Sequence, residues 1–240
     1  MGIKLTRKKK KILILSLAYL FKKILPVSAK LKLKLFLNLE WIFDRLSHEE
    51  SFNYYDPAVH PIRIKSKDFI LSGILKNDIV LDLGCNFGDV SYFIADKAAE
   101  VVGIDYNNSA IQEAIKRYKK SNLTFLNAEA LKYLSSNNKK FDVLILSHIL
   151  EHLDEPKKFL SDFKTYFSKI YIELPDFERY YLNKYREDLN LSLIYSDTDH
   201  INEFDRDDML NLLTECGLTI EKAEYRYGLQ KLWCKVVSKN

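Results

Sequence analysis

Paired cysteines, long apolar runs and acids near the N-terminus are all missing from this chain. The three cysteines, Cys85, Cys216 and Cys234, are odd in number and widely spaced. They exclude a disulfide framework and a CxxC metal pair, and the default compartment is a reducing cytosol. The apolar run Ile12–Phe21 spans ten residues before Lys22 and Lys23 interrupt it. A membrane-crossing helix needs roughly 20. Lys8–Lys11, this run and Val27-Ser28-Ala29 have the outline of a signal peptide, which the two lysines spoil. Residues 1–34 contain eleven basic side chains and no acid, so against the whole chain's +4 the remainder carries net −7. That excludes a global nucleic-acid-binding surface and leaves only a cationic N-terminus.

Two placements stay open for residues 12–25, which read as a helix stopped by Pro26. The helix either lies on an anionic membrane surface or docks on the domain. Leu31, Leu35, Leu39, Ile42 and Leu46 share a helical face, which predicts a second helix. Residues 51–65, with Pro57 and Pro61, read as a loop. No internal repeat or low-complexity linker follows. The 240 residues fit one α/β domain, residues 67–240, behind a basic helical extension, residues 1–66.

From residue 68 helices and strands alternate, as a parallel sheet with crossovers requires. Helices are expected at 68–75, 90–98 and 109–119, the last capped by Ser109, and at 206–216. Strands are expected at 79–83, 101–104, 123–126, 141–146 and 170–174. Ile220–Tyr225 and Leu232–Val237 flank Gly228 as a terminal hairpin. Residues 176–205, polar and rich in tyrosine, read as a lid or insertion.

Ligands in such sheets bind beyond the carboxyl ends of the strands. Four predicted strand ends carry polar residues there: Asp82 with Gly84-Cys85-Asn86-Phe87-Gly88, then Asp105, then Asn127-Ala128, then Ser147-His148. Glycine lets backbone pass close to a ligand, while the carboxylate of Asp82 disfavours phosphate and suits a cation. Asn86 stands where a GxGxxG dinucleotide fingerprint has its middle glycine, so a pyrophosphate reading is excluded.

This constellation resembles the class I S-adenosylmethionine (SAM) methyltransferases over residues 68–237. The resemblance implies a Rossmann-like, mostly parallel seven-stranded sheet with a C-terminal antiparallel hairpin, and SAM as cofactor. It implies that Gly84 to Gly88 wrap the methionine part, with Asp82 near its ammonium group. Asp105 would hold the ribose, Tyr106 would pack on the adenine, and Asn127 and Ala128 would meet the adenine edge. Ser147 would close the same pocket after the fourth strand.

His148, Glu151 and His152 share a face if their turn is helical, and a histidine suits the role of general base. With His200 they are the candidate catalytic residues. The same four form an imidazole/carboxylate set similar to the metal site of some ubiquinone-pathway and small-RNA O-methyltransferases. Glu-His before an Asp-x-Pro-like segment also orders loops without metal, and no metal is expected. Asp199 to Phe204, followed by Asp207–Gly217, resembles an element of the type 23 methyltransferase domain. Glu40 to Glu49 resembles leaders of methyltransferases from bacterial surface-polysaccharide pathways. Together these imply O-methylation of a sugar by a cytoplasmic enzyme, peripheral to the inner membrane face. The alternatives are a small-molecule or quinone-precursor acceptor, or a SAM-binding assembly protein without catalysis.

Overall fold

The computed structural model describes residues 12–136 and 139–237. Seven strands form one sheet in the order β3-β2-β1-β4-β5-β7-β6. β1 (Ile79–Leu83), β2 (Glu100–Asp105), β3 (Leu123–Asn127), β4 (Val143–Ser147) and β5 (Lys169–Pro175) run parallel. β7 (Leu229–Val236) lies antiparallel between β5 and β6 (Leu218–Arg226). Tyr227 and Gly228, both at positive φ, make the two-residue turn between them, the geometry that a twisted hairpin favours.

The parallel strands are apolar throughout because both faces are covered. Val80, Val101, Val143 and Ile145 point to one side, against Phe69 and Ile70 of α3 (Pro61–Gly73) and Ile94 of α4 (Asp89–Ile94). Leu81, Val102, Leu144 and Leu146 point to the other, where α6 (Ala130–Ser136), α7 (Pro156–Phe163) and α9 (Arg206–Glu215) pack. α5 (Asn108–Arg117) closes the first side over Cys85 and Phe125. The neighbours of β1 are β2 and β4, so the sheet reverses its winding there, and a ligand crevice opens at that reversal.

The N-terminal helices differ from expectation in extent. α1 (Leu13–Ile24) has no buried residue, so it is not docked on the domain. α2 runs from Ala29 to Tyr54, and α3 begins at Pro61, which leaves only a short connection where a long loop was expected. Pro61 sits in the first turn of α3, where its missing N–H costs nothing. α5 is capped by Asn107 rather than Ser109, because the Asn107 carboxamide accepts from Ser109 N and Ala110 N. Among the described residues, no helix is long and apolar enough to cross a membrane.

Residues 176–204 include α8 (Leu182–Asp188) and are strapped to α2. The buried Arg186 guanidinium donates to Glu40, to Leu37 O (3.2 Å) and to Asn183 Oδ1 (2.9 Å). Arg179 and Tyr180 both donate to Asp44, at 2.7 and 2.9 Å, and Arg45 pairs with Asp197 at 2.6 Å. The Trp41 indole donates to Tyr195 O at 2.8 Å. The insertion and the extension therefore form one cap. Arg186→Ala should destabilise the protein by about 2–3 kcal/mol in urea unfolding and make residues 182–200 the first site of limited proteolysis. Unchanged stability and an unchanged cleavage pattern would contradict the strap.

Candidate functional site

One cavity of about 1050 Å³ lies between the sheet's carboxyl edge and the cap. Its floor is the glycine loop and the ends of β1, β4 and β5; its wall is α2, α3 and the 176–203 segment. Asp82, Gly84, Cys85, Asn86, Ser147, His148 and His200 line it.

The loop is built around tight turns. Gly84 and Gly88 have φ of 71° and 83°, and a Cβ on Gly84 would stand 2.4 Å from Ile149 Cδ1. Asn86, also at positive φ (47°), belongs to the residue class that best tolerates that conformation. Its amide donates to Asp105 Oδ2 (2.9 Å), while Asn107 N donates to Asp105 Oδ1 (2.8 Å). Asp105 thus fastens the loop to the end of β2, with one lone pair on each oxygen left for a ligand.

Asp82 is buried, and Ser91 Oγ donates to it at 2.5 Å. Burial, with a smaller push from the charge of Asp105, raises its carboxyl to about 7 against the pull of Ser91. A cation beside it would restore the carboxylate. Burial and the same two acids push the Cys85 thiol well up, so Cys85 is no nucleophile. Tyr106 is 90% exposed and Asn127 is exposed; these two, with Asp105 and Ala128, stand at the β2–β3 end beyond the cavity lining. Asn127 Nδ2 and Ala128 N both donate to Asp105 O.

The histidine cluster is arranged differently from a shared helical face. His148 has φ 55°, a left-handed turn costly for a residue with a Cβ, and the 3-10 turn begins only at Leu150. The reversal aims His148 into the cavity and leaves His152 outside its lining. His148 Nδ1 bonds Glu151 Oε1 at 3.0 Å, and His148 Nε2 lies 3.7 Å from Glu173 Oε1. Burial opposes its charge, yet Glu151 and Glu173 outweigh it and hold the imidazole up to about 10. His148 is therefore an imidazolium at neutral pH. Burial alone would raise Glu173, but His148 and the Tyr171 hydroxyl (2.6 Å) hold it below the ordinary carboxylate range.

His152 Nδ1 faces Asp199 O at 3.2 Å and stacks edge-on with His200, whose Nδ1 lies 3.1 Å from Glu203 Oε1. Ligand atoms of Glu151, His152 and His200 lie within 4.8 Å of one another, and Glu151 Oε2 is buried without a partner. His148 is outside that group, although its Nδ1 bonds the other oxygen of Glu151.

Sequence reasoning overlooked Glu173, which lines the cavity from the end of β5. Its signal was an acid inside the apolar run Ile170-Tyr171-Ile172-Glu173-Leu174. Asp44, Arg45 and Arg179 of the cavity wall were also missed, and no local pattern marks them.

The titrations give two stability tests on the unliganded protein. His148, raised from 6.5 to about 10, contributes stability that is full below 6.5 and lost as pH rises through about 10. Tm should fall over that window, and less steeply in His148→Asn, which tolerates the turn. Asp82 ionises less readily folded than unfolded, so its stability cost grows between 3.8 and about 7. Asp82→Asn should raise Tm at pH 8; a lower Tm would contradict the buried-carboxyl account.

A methyltransferase-domain family model matches residues 52–223. An uncharacterized RNA methyltransferase of Leptospira interrogans is 33% identical over 105 residues, covering 42% of this chain and 27% of that protein. A ubiquinone biosynthesis O-methyltransferase of Coxiella burnetii is 27% identical over 105 residues, covering 43% and 44%. The chain thus spans less than half the length of these curated relatives. The magnesium protoporphyrin IX methyltransferase of Synechocystis, solved with S-adenosylhomocysteine, superposes with TM-score 0.56 at 18% identity, covering 81% of this chain and 94% of that one. The cavity at the sheet reversal, the glycine loop and the family match converge: the chain belongs to the type 23 methyltransferase-domain family, Rossmann-like enzymes that use SAM as methyl donor.

Proposed function

We propose that this protein methylates a hydroxyl group of a sugar in cell-surface glycan biosynthesis. The observation that carries the reading is the composition of the cavity wall facing the glycine loop. Two ion pairs, Asp44–Arg179 and Arg45–Asp197, line it with their remaining donors and acceptors, beside the Trp41 ring. A polyhydroxylated ring uses both kinds of group, hydrogen bonds at its edge and apolar contact on its face.

The residues present fit SAM. Asp82 is a buried acid without a cationic partner, and the glycine loop admits close backbone approach. Asp82, Gly84 and Asn86 would hold the methionine part, and Asp105 the ribose. When bound, SAM supplies an electrophilic methyl group on a sulfonium. The chain's own contribution is alignment of the acceptor oxygen with that methyl, a task for the cap and the β4–β5 edge. His148 and Glu173 share that edge, and Glu151 holds the His148 ring. Of these, the Glu173 carboxylate is the anion that would take the acceptor proton, and His148 and the Tyr171 hydroxyl keep it ionised until then. His148 thus acts through Glu173 rather than as a free base. His200, tied to Glu203 and Ser196, positions the cap segment against the acceptor.

The second reading is a quinone-precursor acceptor. It draws on the 27% identity to the Coxiella ubiquinone biosynthesis enzyme and on the aromatic side chains of the wall. Methyl transfer from labelled SAM to nucleotide sugars and to catechol-type quinone precursors, assayed side by side, separates the two. Transfer to the catechol alone overturns the sugar assignment. On the true acceptor, Glu173→Gln should lower kcat by about 10²-fold or more with the SAM Kd unchanged. Full activity of that variant would remove Glu173 from the reaction.

A further inference from the structure

α1 and the outer side of α2 carry an apolar surface that the domain does not use. On α1, Leu13, Leu17, Leu20, Phe21 and Ile24 share one face, away from Ser16, Lys22 and Lys23, and are 51–73% exposed. On α2, Leu31, Leu35, Leu39, Ile42 and Leu46 recur at helical spacing and are 38–52% exposed. The opposite side of α2 is already engaged, with Leu37 buried and Glu40, Trp41 and Asp44 bonded to the cap. An amphipathic helix ordinarily turns such a stripe inward. Here the stripe faces outward on both helices.

The charges around this surface identify what covers it. Lys22, Lys23, Lys30, Lys32 and Lys34 lie on the same turns, and Glu40, the first acid in the chain, faces Arg186. A second copy related by two-fold symmetry would set this cationic surface against itself. A surface that is both apolar and negatively charged satisfies stripe and lysines together, and anionic lipid headgroups over acyl chains are such a surface. We propose that α1 and the outer stripe of α2 dock the protein on an anionic bilayer surface. The apolar side chains enter the acyl boundary and the lysines lie among the headgroups. α2 then has lipid on one side and the cavity on the other. Glu40, Trp41, Asp44 and Arg45 hold the cavity wall within one helix diameter, about 10 Å, of the bilayer.

The test uses the full chain and co-sedimentation with phosphatidylcholine vesicles, with and without phosphatidylglycerol. The protein should bind only the phosphatidylglycerol vesicles. Lys22→Gln/Lys23→Gln should weaken binding about fivefold per lysine. Raising salt from about 0.1 M to about 1 M should abolish it, because the Debye length falls from about 10 Å to about 3 Å. Leu35→Glu/Ile42→Glu should also abolish it, with the circular dichroism spectrum of the parent. No binding to either vesicle, or equal binding to both, overturns the proposal. So does binding that survives Leu35→Glu/Ile42→Glu. A dimer in sedimentation velocity that this variant dissolves would assign the stripe to a second copy and overturn it as well.

Discussion

Buried carboxylates at one edge of the sheet govern the arrangement of this molecule. Asp82, Asp105 and Glu173 close β1, β2 and β5, and Glu151 and Asp176 follow β4 and β5. Uncompensated, each would be costly. Asp105 is met by two backbone amides, Asp176 by Arg206 at 2.7 Å, and Glu151 and Glu173 by the one imidazolium of His148. Asp82 has only the Ser91 hydroxyl and an elevated pKa. Acids therefore outnumber cations at this edge, and Asp82 is left without a charged partner, which suits the loop to a positively charged ligand.

The second organising feature is the cap. A sheet of this topology leaves its carboxyl edge open to solvent, and here α2 and residues 176–204 cover it jointly. Arg186 is the centre of that joint, buried from one segment and bonded to the other. α2 supplies both a wall of the cavity and the outward apolar stripe, so these two surfaces share one helix. The extension is thus part of the site rather than an appendage to it.

The strands and the loop from Asp82 to Gly88 were legible because local chemistry marks them: continuous apolar runs, a polar residue at each end, and glycine at two of the loop's tight turns. The strand ends also met at one edge as the order of elements implied. What escaped detection depends on distance. Asp44 meets Arg179, and Arg45 meets Asp197, across stretches of 135 and 152 residues, which no periodicity reveals. The loop read at 51–65 failed because Pro61 starts a helix as readily as it ends one. The face shared by His148 and His152 failed because a left-handed turn at His148 precedes the helical turn, and nothing but the folded packing forces a non-glycine residue there. Glu173 was marked in the sequence, as a charge inside a buried strand, and its weight became visible only beside His148.

The negatively poised loop at β1 is the proposed seat of a cationic methyl donor. Titration calorimetry of the full chain at pH 8 with SAM and with S-adenosylhomocysteine tests it most directly. Both should bind, and both should lose affinity in Asp82→Asn, because each carries the ammonium group placed beside that carboxyl. Absence of binding by either ligand would contradict it.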